Sequence, residues 1–144
     1  MKYILFSLVL IMSAGCTTTR QLDKLEIREV YGCKVSDKGL FDAASSYYNP
    51  TLKTCYEHGD NGLLKVLQTV KGGVLVYPTY NEWDTIRGNA AKMNIFVETT
   101  DEYVDNAILR SGYYEYVGTY EYTTIKNVNA RVRKFKKLSL STKE

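Results

Sequence analysis

The sequence predicts a mainly β protein: a small antiparallel barrel of SH3-like or OB-like kind, preceded by an irregular, disulfide-stapled N-terminal part. Three observations lead there. Tyrosine is the outlier of the composition, with 13 of 144 residues against one Trp and four Phe. It favours strands, where the ring covers a surface and the hydroxyl stays wet. From residue 63 to 138, runs of strand-forming residues are separated by short turns, as in small all-β domains. Residues 113–125 (YYEYVGTYEYTTI) make the strongest strand, with Gly118 at its middle. A glycine there permits a bulge or bend, and a bent strand can serve two sheets and close a barrel.

Taken in order, the chain opens on MKYILFSLVLIMSAGC. Lys2 supplies a positive start, residues 3–12 are apolar except for Ser7, and Ser13, Ala14 and Gly15 are small. These are the three parts of a secretory signal peptide. The apolar run is about half of the roughly 20 residues a spanning helix needs. The rival readings are an ordinary cysteine after an ordinary leader, or a buried strand or helix. The stretch Met12-Ser13-Ala14-Gly15-Cys16 resembles the lipobox of bacterial lipoproteins, with Ser13 departing from the commoner Leu. The resemblance implies removal of residues 1–15, a diacylglycerol on the Cys16 thiol and acylation of the new amine. Two or three chains make anchoring stable where one would not. It further implies a cell-membrane address by lipid anchor. Thr17 directly after the cysteine implies the periplasmic face of the outer membrane in a Gram-negative cell. The partner so implied is the membrane itself, with an envelope protein or cell-wall polymer as the ligand to be presented. Nucleic acid is not expected in that compartment.

Removal of the leader leaves 129 residues, one domain's worth. The formal charge of +3 falls to about +2 with the loss of Lys2, too weakly basic to point to a nucleic-acid protein. With Cys16 assigned to lipid, Cys33 and Cys55 remain as an even pair in an oxidising compartment, which favours a disulfide. A metal or redox pair is the rival. No CxxC is present, and one histidine, His58, is a poor basis for a zinc site.

Residues 16–20 read as the lipidated cysteine and a flexible tether, 21–62 as the irregular part, 63–138 as the barrel and 139–144 as a polar tail. Residues 21–31 (QLDKLEIREVY) fit a helical stripe and a strand alternation equally well. Residues 30–35 around Cys33 read as extended, and 36–39 as a turn. Residues 40–48 read as a short helix stopping before Asn49-Pro50. An extended stretch carries Cys55, and 58–62 form a loop. Strands follow at 63–70 and 74–77, joined through Gly72-Gly73 and ended by Pro78. A polar loop holds Trp83. Residues 93–98 are a strand, and 100–105 a short helical turn capped by Thr100. After the long strand and a turn at 126–129, residues 130–138 are the last strand. Its run RVRKFKK reads either as a contact with anionic lipid or another polyanion or as a solvated edge strand kept from aggregating by charge; the second is preferred.

Chemistry is sparse. His58 beside Asp60 lacks a nucleophile motif and reads as an exposed loop residue. Glu98, Asp101, Glu102 and Asp105 could hydrolyse a glycoside only if two of them converged. No phosphate loop, calcium loop or cofactor motif is seen. The candidate binding surface is the strand face of Tyr114, Tyr116, Tyr120 and Tyr122, the rival being that these rings pack the core. The expectation is an anchored, non-catalytic β domain without cofactor or metal. The alternatives are an envelope enzyme using those carboxylates, a self-associating structural lipoprotein, and a surface-modifying lipoprotein of a mobile element.

Overall fold

The computed structural model describes residues 23–59, 62–79 and 93–139. The leader, Cys16, the tether, Asp60, the Trp83 loop and residues 140–144 lie outside the described residues.

The ambiguous segment after the tether is helix α1, Lys24–Tyr31. Local chemistry decides it. The Asp23 carboxylate accepts the Glu26 N–H at 2.8 Å, and the Glu26 carboxylate accepts the Asp23 N–H at 3.2 Å. This reciprocal box satisfies two otherwise orphan donors. At the other end Gly32 adopts φ 63° and its N–H closes on the Arg28 carbonyl, the left-handed cap a glycine adopts without strain. Of α1 only Ile27 is buried.

Strand β1 is Lys34–Gly39, helix α2 is Leu40–Ala43 and strand β2 is Thr54–His58. Then come β3 (Leu63–Val70), β4 (Gly73–Thr79), β5 (Ile95–Glu98), β6 (Gly112–Thr123) and β7 (Asn129–Lys137). All seven strands form one sheet in the order β1-β2-β6-β7-β5-β4-β3. The protein is therefore mainly β, as the composition indicates. Residues 34–58, read as irregular, supply two of its strands. The short, polar β1 gives no alternation because it lies at the sheet's edge.

Two corrections concern the sheet. It is mixed rather than antiparallel, since β1 runs parallel to β2 and β5 parallel to β7. It is also not closed into a barrel. Closure would need the outer edge of β3, and residues 106–109 occupy that edge. Val66 N–H donates to Ala107 O at 2.7 Å, Asn106 N–H to Val66 O at 2.8 Å and Leu109 N–H to Leu64 O at 2.7 Å. Residues 100–105, expected as a helical turn, form a loop leading into this pairing, and it is Thr99 Oγ1 that accepts the Asp101 N–H. Strand β4 runs through Pro78 to Thr79.

The main core lies on one face. Paired positions carry it across the sheet: Tyr56 opposite Tyr114, Tyr116 opposite Phe135, Phe135 opposite Val97 and Val97 opposite Val74. Leu40, Phe41, Ala43 and Ala44 of the α2 region cover it, with Leu109 from the β3 edge segment. A smaller cluster on the opposite face joins Ile27, Cys33, Cys55, Tyr113 and Leu138 under α1. The Cys33–Cys55 disulfide is present, with both residues buried and their Cα atoms 5.9 Å apart. It ties the exit of α1 to β2, an interior strand.

Candidate binding surface

The four candidate tyrosines do not share a face. In β6–β7, Tyr116 pairs with Phe135 but Gly118 pairs with Lys134, so Val117 is the extra residue of a bulge. Successive residues of β7 point to opposite sides, and paired residues share a side. Tyr114 and Tyr116 therefore face the core, while Tyr120 and Tyr122 face away from it. Gly118 takes φ 122° at this point, a conformation that a side chain would strain.

The two halves of the stripe do different work. Tyr114 is fully buried, donates its hydroxyl to the Arg110 carbonyl at 2.5 Å and meets the His58 ring at 6.4 Å. Burial holds its phenol above the usual range. Tyr116 lies 5.3 Å from Phe135, and Tyr56 meets Phe135 edge-on at 5.8 Å. These rings are core. On the other face, Tyr120 stacks on Phe96 with centroids 3.9 Å apart and planes within 10°, and Tyr122 follows at 6.4 Å and 17°. Gly73 makes room for Phe96, since a Cβ there would come within 2.9 Å of Phe96 Cζ and 2.0 Å of the Val97 carbonyl. Lys134 Nζ lies 5.9 Å from the Phe96 centroid and 3.6 Å from Glu98. The outcome is a ladder of three aromatic rings flanked by a cation, its outer two rings only half-buried.

This ladder runs out along a projecting arm. β2 pairs with β6 only over Gly112–Glu115, and β5 pairs with β7 only over Arg133–Lys136. Beyond Gly118 and Arg133, no further strand pairs with the hairpin among the described residues. At about 3.4 Å per residue, Gly118 to Thr123 carries the arm roughly 20 Å past the sheet. The Glu121–Arg131 ion pair and the Thr123–Asn129 hydrogen bond hold its two strands together. At its tip Ile125 is fully exposed and Val128 is 58% exposed.

The basic run of β7 is neither a free polyanion patch nor an edge. β7 is the fourth of seven strands. Arg131 pairs with Glu121, and Arg133 donates to the Ala43 and Ser45 carbonyls at 2.8 and 2.7 Å. Lys134 pairs with Glu98, and Lys137 bonds Asp101. Most of these cations fasten the sheet to its neighbours.

His58 is the other correction. It closes β2, is 4% exposed and has its pKa pushed below the ordinary value by burial, with a hydrogen bond at the Leu109 backbone pulling the other way. The carboxylates do not gather either. Glu98 sits opposite Lys136 on the ladder face, whereas Asp101 bonds Lys137, whose register partner Tyr114 places it on the core face. Arg110 completes that group, 3.7 Å from Asp101 and over the Tyr103 ring at 5.2 Å. Glu102 and Asp105 are exposed. Among the described residues no cluster of His, Cys, Asp or Glu could hold a metal ion, and no helix is long and apolar enough to cross a membrane.

Sequence reasoning missed Phe96, Gly73 and Lys134 as members of the aromatic surface. They come from other strands, and only the register brings them together. Compared with known proteins, the chain matches no family model, no curated protein and no solved structure.

Proposed function

We propose that the chain is a bacterial envelope lipoprotein that presents a small β-rich binding domain and performs no catalysis. The leader is cut before Cys16, whose lipid holds the domain on the periplasmic face of the outer membrane. The tether gives the domain reach, and the β6–β7 arm offers Tyr120 and Tyr122 to an envelope protein or cell-wall polymer. The lipobox-like stretch Ser13-Ala14-Gly15-Cys16 supports the address. The observation that carries the binding part is the aromatic ladder on a hairpin that extends beyond its sheet. A two-stranded ribbon is marginal alone in water, and its unpaired edges invite association. Half-buried tyrosines are the residue type interfaces use most readily, being apolar in body and polar at the tip. The carboxylate-enzyme alternative finds less support, because Glu98 and Asp101 are engaged by separate cations on opposite faces.

The test is a photo-crosslinking residue at position 122 in intact cells, with position 47 as control, since Tyr47 is 88% exposed and lies off the arm. The expected result is one dominant adduct from position 122, lost when Tyr120 is replaced by Ala, and none from position 47. Equal capture from both positions would sink the arm as the binding element.

A further inference from the structure

The arm's tip has a chemistry distinct from its tyrosine face. The turn Thr124–Val128 is closed by the Thr124 N–H on the Val128 carbonyl at 2.9 Å and the Asn127 N–H on the Thr124 carbonyl at 2.9 Å. The turn is thus held by its own backbone, and Asn127 takes the left-handed φ of 57° that the turn requires. Ile125 and Val128 nevertheless project into solvent, Ile125 completely. Lys126 stands between them; since Arg131 pairs with Glu121 and Arg133 turns to the Ala43 and Ser45 carbonyls, it is Lys126 that gives the projecting arm its net positive charge. A fully exposed isoleucine gains nothing for the fold, and a polar residue would serve the turn as well. Two branched apolar side chains around a lysine, on a net-positive arm with a tyrosine just behind them, match the boundary of an anionic bilayer. The apolar side chains enter the acyl edge, the lysine reaches the phosphates, and tyrosine sits at headgroup level.

We propose that the β6–β7 tip docks on an anionic phospholipid surface through Ile125, Lys126 and Val128. α1 packs on Tyr113 at the opposite end of β6, about 40 Å of strand from the tip, and residues 16–22 reach at most about 25 Å, so the arm lies inclined along the membrane with its tip on the surface. This goes beyond the lipid anchor: the anchor holds the chain near a bilayer, and the tip sets the domain's orientation there. The contact is modest in size, as suits a second membrane signal beside a covalent lipid. Attraction at the headgroups falls as salt rises.

The experiment separates the tip from the anchor by using the chain of residues 16–144 with Cys16→Ser, which has no lipid. It is sedimented with vesicles of phosphatidylglycerol and phosphatidylethanolamine, and with vesicles of phosphatidylcholine alone. Binding is expected to the anionic vesicles, weaker in high salt. It should fall about tenfold or more when Ile125→Asp and Val128→Asp are combined. An environment-sensitive fluorophore on Ile125→Cys should shift to the blue on the same vesicles, while one on Tyr47→Cys should not. Both tip positions are exposed, so an unchanged thermal transition verifies that the variants fold. The proposal is overturned if the unlipidated chain ignores anionic vesicles, if the double substitution leaves binding intact, or if the tip fluorophore stays in water. It is equally overturned if the tip instead mediates a concentration-dependent dimer that the double substitution abolishes. Lipid labelling at Cys16 is a separate readout, so failure of the anchor and failure of the tip are distinguishable.

Discussion

Tyr114 and Tyr120 lie in the same strand at an even separation, yet one is core and the other is surface. The side-chain period of two assigns both to one face, and only the extra residue Val117 separates them. The glycine beside it is visible in the sequence as a permissive point, but whether the strand bends there or slips by one position depends on β7. Tyr114→Phe tests the buried half. It leaves the Arg110 carbonyl without its hydroxyl donor and should cost about 1 kcal/mol by chemical denaturation. His58 is the residue whose surroundings the sequence hid most completely. Flanking glycine and aspartate suggest an exposed loop, whereas β2 carries it into the core face beside Tyr114. Burial lowers its folded pKa below the ordinary 6.5. The unfolded chain therefore binds a proton at higher pH than the fold does. Its contribution to stability is complete above about pH 6.5, shrinks as pH falls through that value, and stops changing once the folded imidazole is itself protonated. The urea midpoint of the native protein should drop between pH 8 and pH 5, and His58→Gln should reduce that drop. An equal drop in both proteins would contradict the burial argument.

At the scale of elements, the strands with strong alternation were legible and the edge elements were not. β3, β4, β5, β6 and β7 appear where the β-branched and aromatic runs place them, with ends shifted by a residue or two. α1 carries its own signature in Asp23, Glu26 and Gly32, but three apolar residues spaced for either period obscured it. β1 could not be read because an edge strand of sequence KVSDKG has no buried face to enforce alternation. The barrel failed for a reason no single strand contains: residues 106–109 take the β3 edge that closure needs. The binding surface was legible as tyrosine content, and its composition was not, since Phe96 and Lys134 join it through the parallel β5–β7 register. Deleting Val117 puts this to the test at element scale. Because Val117 is the residue in excess, the shortened strand pairs with β7 without a bulge: Tyr116 stays opposite Phe135, Gly118 stays opposite Lys134, and Tyr120 and Tyr122 still face away from the core with the Phe96 stack in place. The deletion should leave the position-122 adduct in place, and its loss would contradict the assignment of Val117 as the bulged residue.

For the whole molecule, the disulfide staples the fold, and the proposed lipid on Cys16 would hold it at a membrane. Cys33 and Cys55 enclose a segment with a sequence separation of 22 that includes β1 and α2. Joining them restricts the unfolded chain, so replacing both by Ala should lower stability by about 3 kcal/mol; a thiol probe should find no reactive cysteine in the folded, unreduced domain. The central claim is that this domain is presented from a membrane by lipid on Cys16, with the arm as its working surface. Intact-mass analysis of the protein extracted from cell membranes tests that claim most directly. The native protein should begin at Cys16 and carry a thioether-linked diacylglycerol and an acylated amine, and a Cys16→Ser variant should keep its leader and bear no lipid. A native chain cut at another position, or one that begins at Cys16 with no lipid mass, would contradict it.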